Sequence, residues 1–216
     1  MALNLFDLSK IRDKVKKLTG RVGEGAITDA ELDLYINRYY QLVFPLELRP
    51  LELNTWFEAT LTAGTDTYTL ASLSFDDSYL TFDKPLTING ESMLLFLNPE
   101  EFYSLYPETQ TYDNGQPEAV LLYDNELVFR KPPDSTYISF KASALARPEA
   151  LVNDGDIPIR EEWGALISYG ASIELLEDNA EMEAMQVITP MYDRHKRNIM
   201  GKVHKQFINQ RSNPTF

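Results

Sequence analysis

The chain has no cysteine and only two histidines in 216 residues. Without cysteine there is no disulfide framework, no thiol nucleophile and no thiolate zinc site. The histidines, His195 and His204, sit on one expected helix about 13.5 Å apart along its axis, too far for a shared metal ion. Long apolar runs are missing too. The longest, such as Met93–Leu97, fall far short of the roughly 20 residues that cross a bilayer. The opening Met-Ala-Leu-Asn-Leu-Phe-Asp has no basic stretch ahead of an apolar one, so no secretory leader is expected. The glycine-rich phosphate loop, the dinucleotide fingerprint and the Gly-x-Ser-x-Gly elbow are all absent. No catalytic residue, metal ligand or cofactor site is therefore expected.

The acidic pairs are the remaining candidates for chemistry. Asp76-Asp77, Glu100-Glu101 and Glu161-Glu162 are adjacent, and adjacent helical positions do not face each other. The last two pairs open helices, where carboxylates complement the helix dipole. Asn153-Asp154-Gly155-Asp156 resembles part of a calcium loop. With Asp154 at position 1 the required terminal glutamate falls on Ala165, so a turn is expected there.

What the chain does have is a core and an uneven charge. It is 44% hydrophobic and 12% aromatic, enough to exclude disorder throughout. Its size suits one elaborated domain or two small ones. The net charge of −13 is segregated. Residues 1–24 and 193–216 carry six basic side chains each, whereas 25–192 hold eight against more than three times as many acidic ones. Basic ends on an acidic body can meet other copies or a charged partner. Lys10, Lys14 and Lys17 share one helical face, and with Arg21 they form the candidate inter-subunit set.

Along the chain, Leu5, Leu8, Ile11, Val15 and Leu18 give a helical stripe that Gly20 stops. Thr28 and Glu31 form a capping box for a second helix, with Leu32, Tyr35, Ile36, Tyr39 and Val43 inward and Pro45 as its end. The middle reads as short strands. Hairpins are expected for Thr55–Thr62 with Thr67–Leu70, across Asn89-Gly90 and across Asp124-Asn125, followed by a last strand at Tyr137–Ala144. Asn98-Pro99 opens a short helix to Leu105. Trp163, Leu166, Ile167, Gly170, Ile173 and Leu176 mark a third long helix. A fourth runs from Ala180 to Ile208, kinked or restarted at Pro190. The expected fold is thus α+β: a four-helix bundle with an antiparallel β-domain inserted between helices two and three, plus an extended C-terminal arm. The expected divisions are 1–50, 51–147, 148–193 and 194–216.

The ordered motifs resemble a known family. They are Lys17-Leu18-Thr19-Gly20, Ile27-Thr28-Asp29-Ala30-Glu31-Leu32, Tyr35-Ile36-Asn37, Phe57-Glu58-Ala59-Thr60, Thr67-Tyr68-Thr69-Leu70, Gly115-Gln116-Pro117-Glu118, Glu126-Leu127-Val128-Phe129, Pro132-Pro133-Asp134, Ile157-Pro158 before Trp163, and Tyr169-Gly170-Ala171. In this order, over nearly the whole chain, they resemble the head-to-tail adaptor (connector) proteins of short-tailed bacteriophages. The resemblance implies a structural virion protein of the neck, assembled in the host cytoplasm. It would form a ring, a dodecamer in that family, beneath the portal protein. Downstream nozzle or fibre proteins would dock on it, and DNA would pass through without sequence-specific binding. It implies portal contact through the basic arm, here Arg194, Lys196, Arg197, Ile199, Lys202, Val203, Lys205, Phe207, Arg211 and Phe216. The alternative expectation is a virion-associated peptidoglycan- or glycan-cleaving protein using paired carboxylates. A third is a nucleic-acid-binding regulator.

Overall fold

The structure is a computed structural model describing residues 5–23, 25–75, 77–108 and 112–211, the segment 204–211 as helical backbone. Asp76 of the first acidic pair lies outside the described residues. The chain forms two compact units. One is built from its two ends, up to Leu53 and from Arg147 onward, and the other is Asn54–Ala146.

The first unit is helical. α1 (Leu8–Leu18) starts where the Asp7 carboxylate accepts the Lys10 amide. Its Leu8 and Ser9 amides donate to Asp156 O and Asp154 O at 2.9 and 3.1 Å, so the 154–156 turn satisfies the helix start. Leu8, Ile11 and Val15 are fully buried, as the stripe requires. Leu5 is 64% exposed and does not belong to it. Gly20, at φ +70°, takes the left-handed position that ends the helix. α2 (Asp29–Arg38) begins at Thr28, whose hydroxyl accepts the Glu31 amide.

Pro45 does not end this helix. A π turn over Tyr39–Val43 carries it into α3 (Phe44–Leu48), with the Phe44 amide bonding Tyr39 O. The wider turn suits a proline, which has no amide to donate and whose ring crowds the carbonyl four residues back. α4 (Pro99–Leu105) lies among the strands of the other unit, and α5 (Gly164–Asp178) and α6 (Met182–Arg211) follow the last strand. α5 is buried on nearly all sides. Its Ser168 and Ser172 are fully buried and donate to the carbonyls four residues back, each at 2.7 Å. α5 ends in a two-bond C-cap: Ala180 N to Glu177 O and Glu181 N to Leu176 O at 3.0 and 2.9 Å. α6 runs unbroken through Pro190.

The second unit holds β1 (Asn54–Thr60), β2 (Thr67–Thr69), β3 (Tyr79–Ile88), β4 (Glu91–Phe96), β5 (Ala119–Tyr123), β6 (Glu126–Arg130) and β7 (Ser139–Ala146). They form one curled sheet in the order β1-β7-β3-β4-β5-β6-β2. Asn89 and Gly90, then Asp124 and Asn125, take positive φ in the two tight hairpins β3–β4 and β5–β6. β4 and β5 run parallel. Parallel neighbours need a crossover, and α4 lies in it. Phe57 anchors the core, with the rings of Phe75, Tyr79, Phe82 and Phe140 packed edge-on at 5.3–6.3 Å.

The expected four-helix bundle with an inserted antiparallel domain and an extended arm is not what forms. The described residues form five helices, counting α2, the π turn and α3 as one run, and a seven-stranded mixed sheet. The first expected hairpin fails because β1 pairs with β7 and β2 with β6, at opposite edges of the sheet. The linker's groups are engaged elsewhere: Gly64 N bonds Pro133 O and Asp66 O accepts from Phe129 N, both at 2.7 Å. The Tyr68 hydroxyl also holds both the amide and the carbonyl of Thr62. From Arg194 to Arg211 the chain continues α6 rather than forming a separate extended segment.

Candidate assembly surface

α6 is two-sided. One side gives Ile188, Ile199 and Val203 to the helical core, and Tyr192 packs against it. The other side exposes Val187, Pro190, Met191, Arg194 and Arg197 at helical spacing. Val187 is 74% exposed and Met191 45%. An apolar pair followed by two guanidinium groups is unusual on a surface with no partner of its own, because contiguous apolar area commonly marks a contact site. The α2–α3 run also exposes Leu34, Leu42 and Leu46, with Leu34 at 67%.

The residues expected from the sequence fall into different settings. Ile199 and Val203 are core residues of this chain. Lys196 lies 3.0 Å from the Glu47 carboxylate and over the Tyr192 ring. Lys202 pairs with Glu162. Arg194 and Arg197 are exposed, and Arg197 Nε donates to Asp193 O. The side chains of Lys205, Phe207 and Arg211, and Phe216 altogether, lie outside the described residues. On the N-terminal side, Lys10 pairs with Asp7 at 2.5 Å and Arg21 with Glu181 at 2.5 Å, while Lys17 is exposed. Lys14 lies over the rings of Phe6 and Tyr169, at 5.0 and 4.7 Å.

Sequence reasoning missed Glu47, Phe6, Val187 and Met191, and it named Glu162 only as one of an acidic pair, not as the partner of Lys202. The signal for Val187 and Met191 was present, since they continue the spacing to Arg194 on one helix face. The partners of Lys196 and Lys202 come from α3 and from the turn before α5, and no local pattern announces them. Asp154-Gly155 forms the expected turn. The Asp156 carboxylate accepts the amides of Val152 and Asn153 at 2.8 Å, which holds its pKa below the usual range. Among the described residues no group of three or more metal-binding side chains comes together. None of the helices, over the same residues, is long and apolar enough to cross a membrane.

A tyrosine chain sits beneath this surface. Tyr39 and Tyr192 hydroxyls are 3.2 Å apart, and Tyr192 donates to Glu47 Oε2 at 2.7 Å. Burial first, then the charge near Tyr192 and Glu47, pushes the Tyr39 hydroxyl well above the ordinary range; burial raises Tyr192 too. A phenol whose folded pKa is raised gives stability that is complete below the unfolded value near 10 and lost as pH rises past it. Stability is therefore expected to fall with pH above about 10. Tyr39→Phe should flatten that fall and cost about 1 kcal/mol at pH 7 through the lost hydrogen bond. Thermal melts from pH 7 to 11 check both; equal alkaline slopes would rule Tyr39 out as the titrating group.

In comparison with known proteins, no family model matches the chain and no curated protein matches its sequence.

Proposed function

We propose that the chain is a structural subunit of a bacteriophage neck, a head-to-tail adaptor that assembles as a ring beneath the portal protein and continues the DNA channel. The outward face of α6 carries the reading: Val187 and Met191 beside Arg194 and Arg197, on a 30-residue helix whose other side is anchored in the core. Such a face gains contact area and charge pairing only upon assembly. The ordered motifs that resemble phage adaptors support it. The acidic middle of the chain fits too, since a channel of that charge would not hold DNA by pairing with its phosphates. Downstream tail proteins would dock on the same ring.

Removing residues 194–216 would be a poor test, because Ile199 and Val203 hold the core. A cleaner variant is Arg194→Glu with Arg197→Glu, both exposed. Mixed with portal rings of the same virus and sedimented, the full chain should bind, and the double variant should bind roughly tenfold more weakly with an unchanged melting temperature. A full chain that does not associate with portal rings overturns the proposal.

A further inference from the structure

In a chain with 33 acidic residues, many of the described cations of the helical unit have found a carboxylate. Lys10, Lys16 and Arg21 have done so around α1, and Lys196 and Lys202 on α6. Lys14 has not: among the described residues its ammonium has no carboxylate within 4.0 Å, and the rings of Phe6 and Tyr169 stand where one would be expected. His195 stacks on the same Tyr169 ring, centroids 5.2 Å apart at 26°. Three helices thus bring an ammonium, a phenol ring and an imidazole together, each only half-buried. Burial lowers the Lys14 pKa; burial, then Lys14 and Arg194, lower that of His195. The groups bearing on the imidazole are therefore Lys14 of α1, Tyr169 of α5 and Arg194 of α6, none of them anionic at neutral pH. A carboxylate arriving here would offset the desolvation of Lys14 and accept a hydrogen bond from His195.

The same chain offers such carboxylates. Residues 54–146 hold 14 acidic and four basic side chains. Three of those four, Arg130, Lys131 and Lys141, are already paired within the unit, with Asp66, Glu118 and Glu58. Asp77, Glu100, Glu101 and Asp124 are exposed. We infer that the Lys14–Tyr169–His195 cluster is an inter-subunit site that receives a carboxylate from the sheet unit of a second copy of this chain. The inference rests on the ring-subunit reading, and it makes the contact heterologous, as a closed ring requires. Because the incoming carboxylate favours the imidazolium, association strengthens as pH falls from 8 to 6.

Sedimentation velocity of the full chain, with and without portal rings, tests it at both pH values. The wild type should form the larger species, more at pH 6. Lys14→Glu should weaken assembly tenfold or more, Lys14→Arg should restore it, and His195→Gln should remove the pH dependence. Lys14→Met keeps the aliphatic stem against the rings and should lose assembly while melting like the wild type, which separates a lost contact from a lost fold. Wild-type rings that Lys14→Glu and Lys14→Met leave intact overturn this site alone. A wild type that stays monomeric in both conditions overturns the ring reading with it. If the Lys14 variants instead lose binding to a DNA duplex and keep assembly, the site takes phosphate and the carboxylate assignment fails.

Discussion

Gly170→Ala is expected to destabilise the protein by about 3 kcal/mol, the upper part of the usual cost of overpacking a core. A Cβ at this position would lie 2.2, 2.3 and 2.5 Å from Cε2, Cζ and Cδ2 of Tyr39. Contacts that short are relieved only by movement, and Tyr39 has little room for it. Its ring is 2% exposed, it packs edge-on against Tyr192 at 6.3 Å and tilted against Phe44 at 6.5 Å, and its hydroxyl is tied to that of Tyr192. The backbone could yield only by separating α5 from the π turn that carries Tyr39. Gly201 is the control. It also lies inside a helix, but nothing stands within 4 Å of its missing Cβ. There the helix preference for alanine acts alone, so Gly201→Ala should stabilise by up to about 1 kcal/mol. Urea unfolding of the two variants should therefore shift in opposite directions. A loss below about 1 kcal/mol at Gly170 would mean that the Tyr39 ring gives way.

Gly170 also illustrates what the sequence could say. Gly164, Ala165, Gly170 and Ala171 on one helix are a sequence signal for close packing, and Gly164 fits it too: its Cβ would meet Phe6 at 2.3 Å. The identity of the neighbours was not legible, since Tyr39 lies more than a hundred residues away. The same division runs through the fold. Signals that act within one or two turns were readable, such as the Thr28 cap, the left-handed Gly20 and the two hairpins at Asn89-Gly90 and Asp124-Asn125. Pairings made across long loops were not. Thr55–Thr62 and Thr67–Leu70 look like a hairpin because both have strand composition and a short turn-like link. Composition does not say that β7, some eighty residues on, is the better neighbour for β1. Pro45 misled for a related reason: a π turn accommodates it, and π turns have no sequence signature that proline position alone supplies. At the candidate surface, the cluster of basic residues was legible but its sorting was not. Which lysine meets a carboxylate and which meets an aromatic ring depends on side chains that other helices bring in.

Arg12 shows how large that sorting can be in energy, and Arg12→Met is expected to cost about 3 kcal/mol. The sequence counts Arg12 as one of six cations near the N-terminus. In the fold it is 9% exposed and holds three segments together. Nε and Nη2 bond the two oxygens of Asp33 on α2 at 2.6 and 2.8 Å, and Nη1 reaches Asp154 in the 154–156 turn at 2.5 Å. The Asp33 pairing raises the guanidinium pKa further, against the opposing effect of burial, with Asp154 adding to it. Methionine keeps most of the volume and none of the charge, leaving the Asp33 carboxylate, one quarter exposed, without its two-pronged partner. Breaking a buried pair from one side costs about 3–5 kcal/mol, and the partial exposure of Asp33 places this case near the lower end. Asp154 is 78% exposed and can return to water at little cost. By contrast, Lys141→Met removes an exposed partner of Glu58 and should cost less than about 1 kcal/mol. The paired change Arg12→Met with Asp33→Asn should recover part of the loss, because the stranded charge is then gone. Denaturant unfolding of the four proteins in that cycle measures the coupling. A coupling within about 0.5 kcal/mol of zero would mean that Arg12 acts through its methylene packing rather than through Asp33.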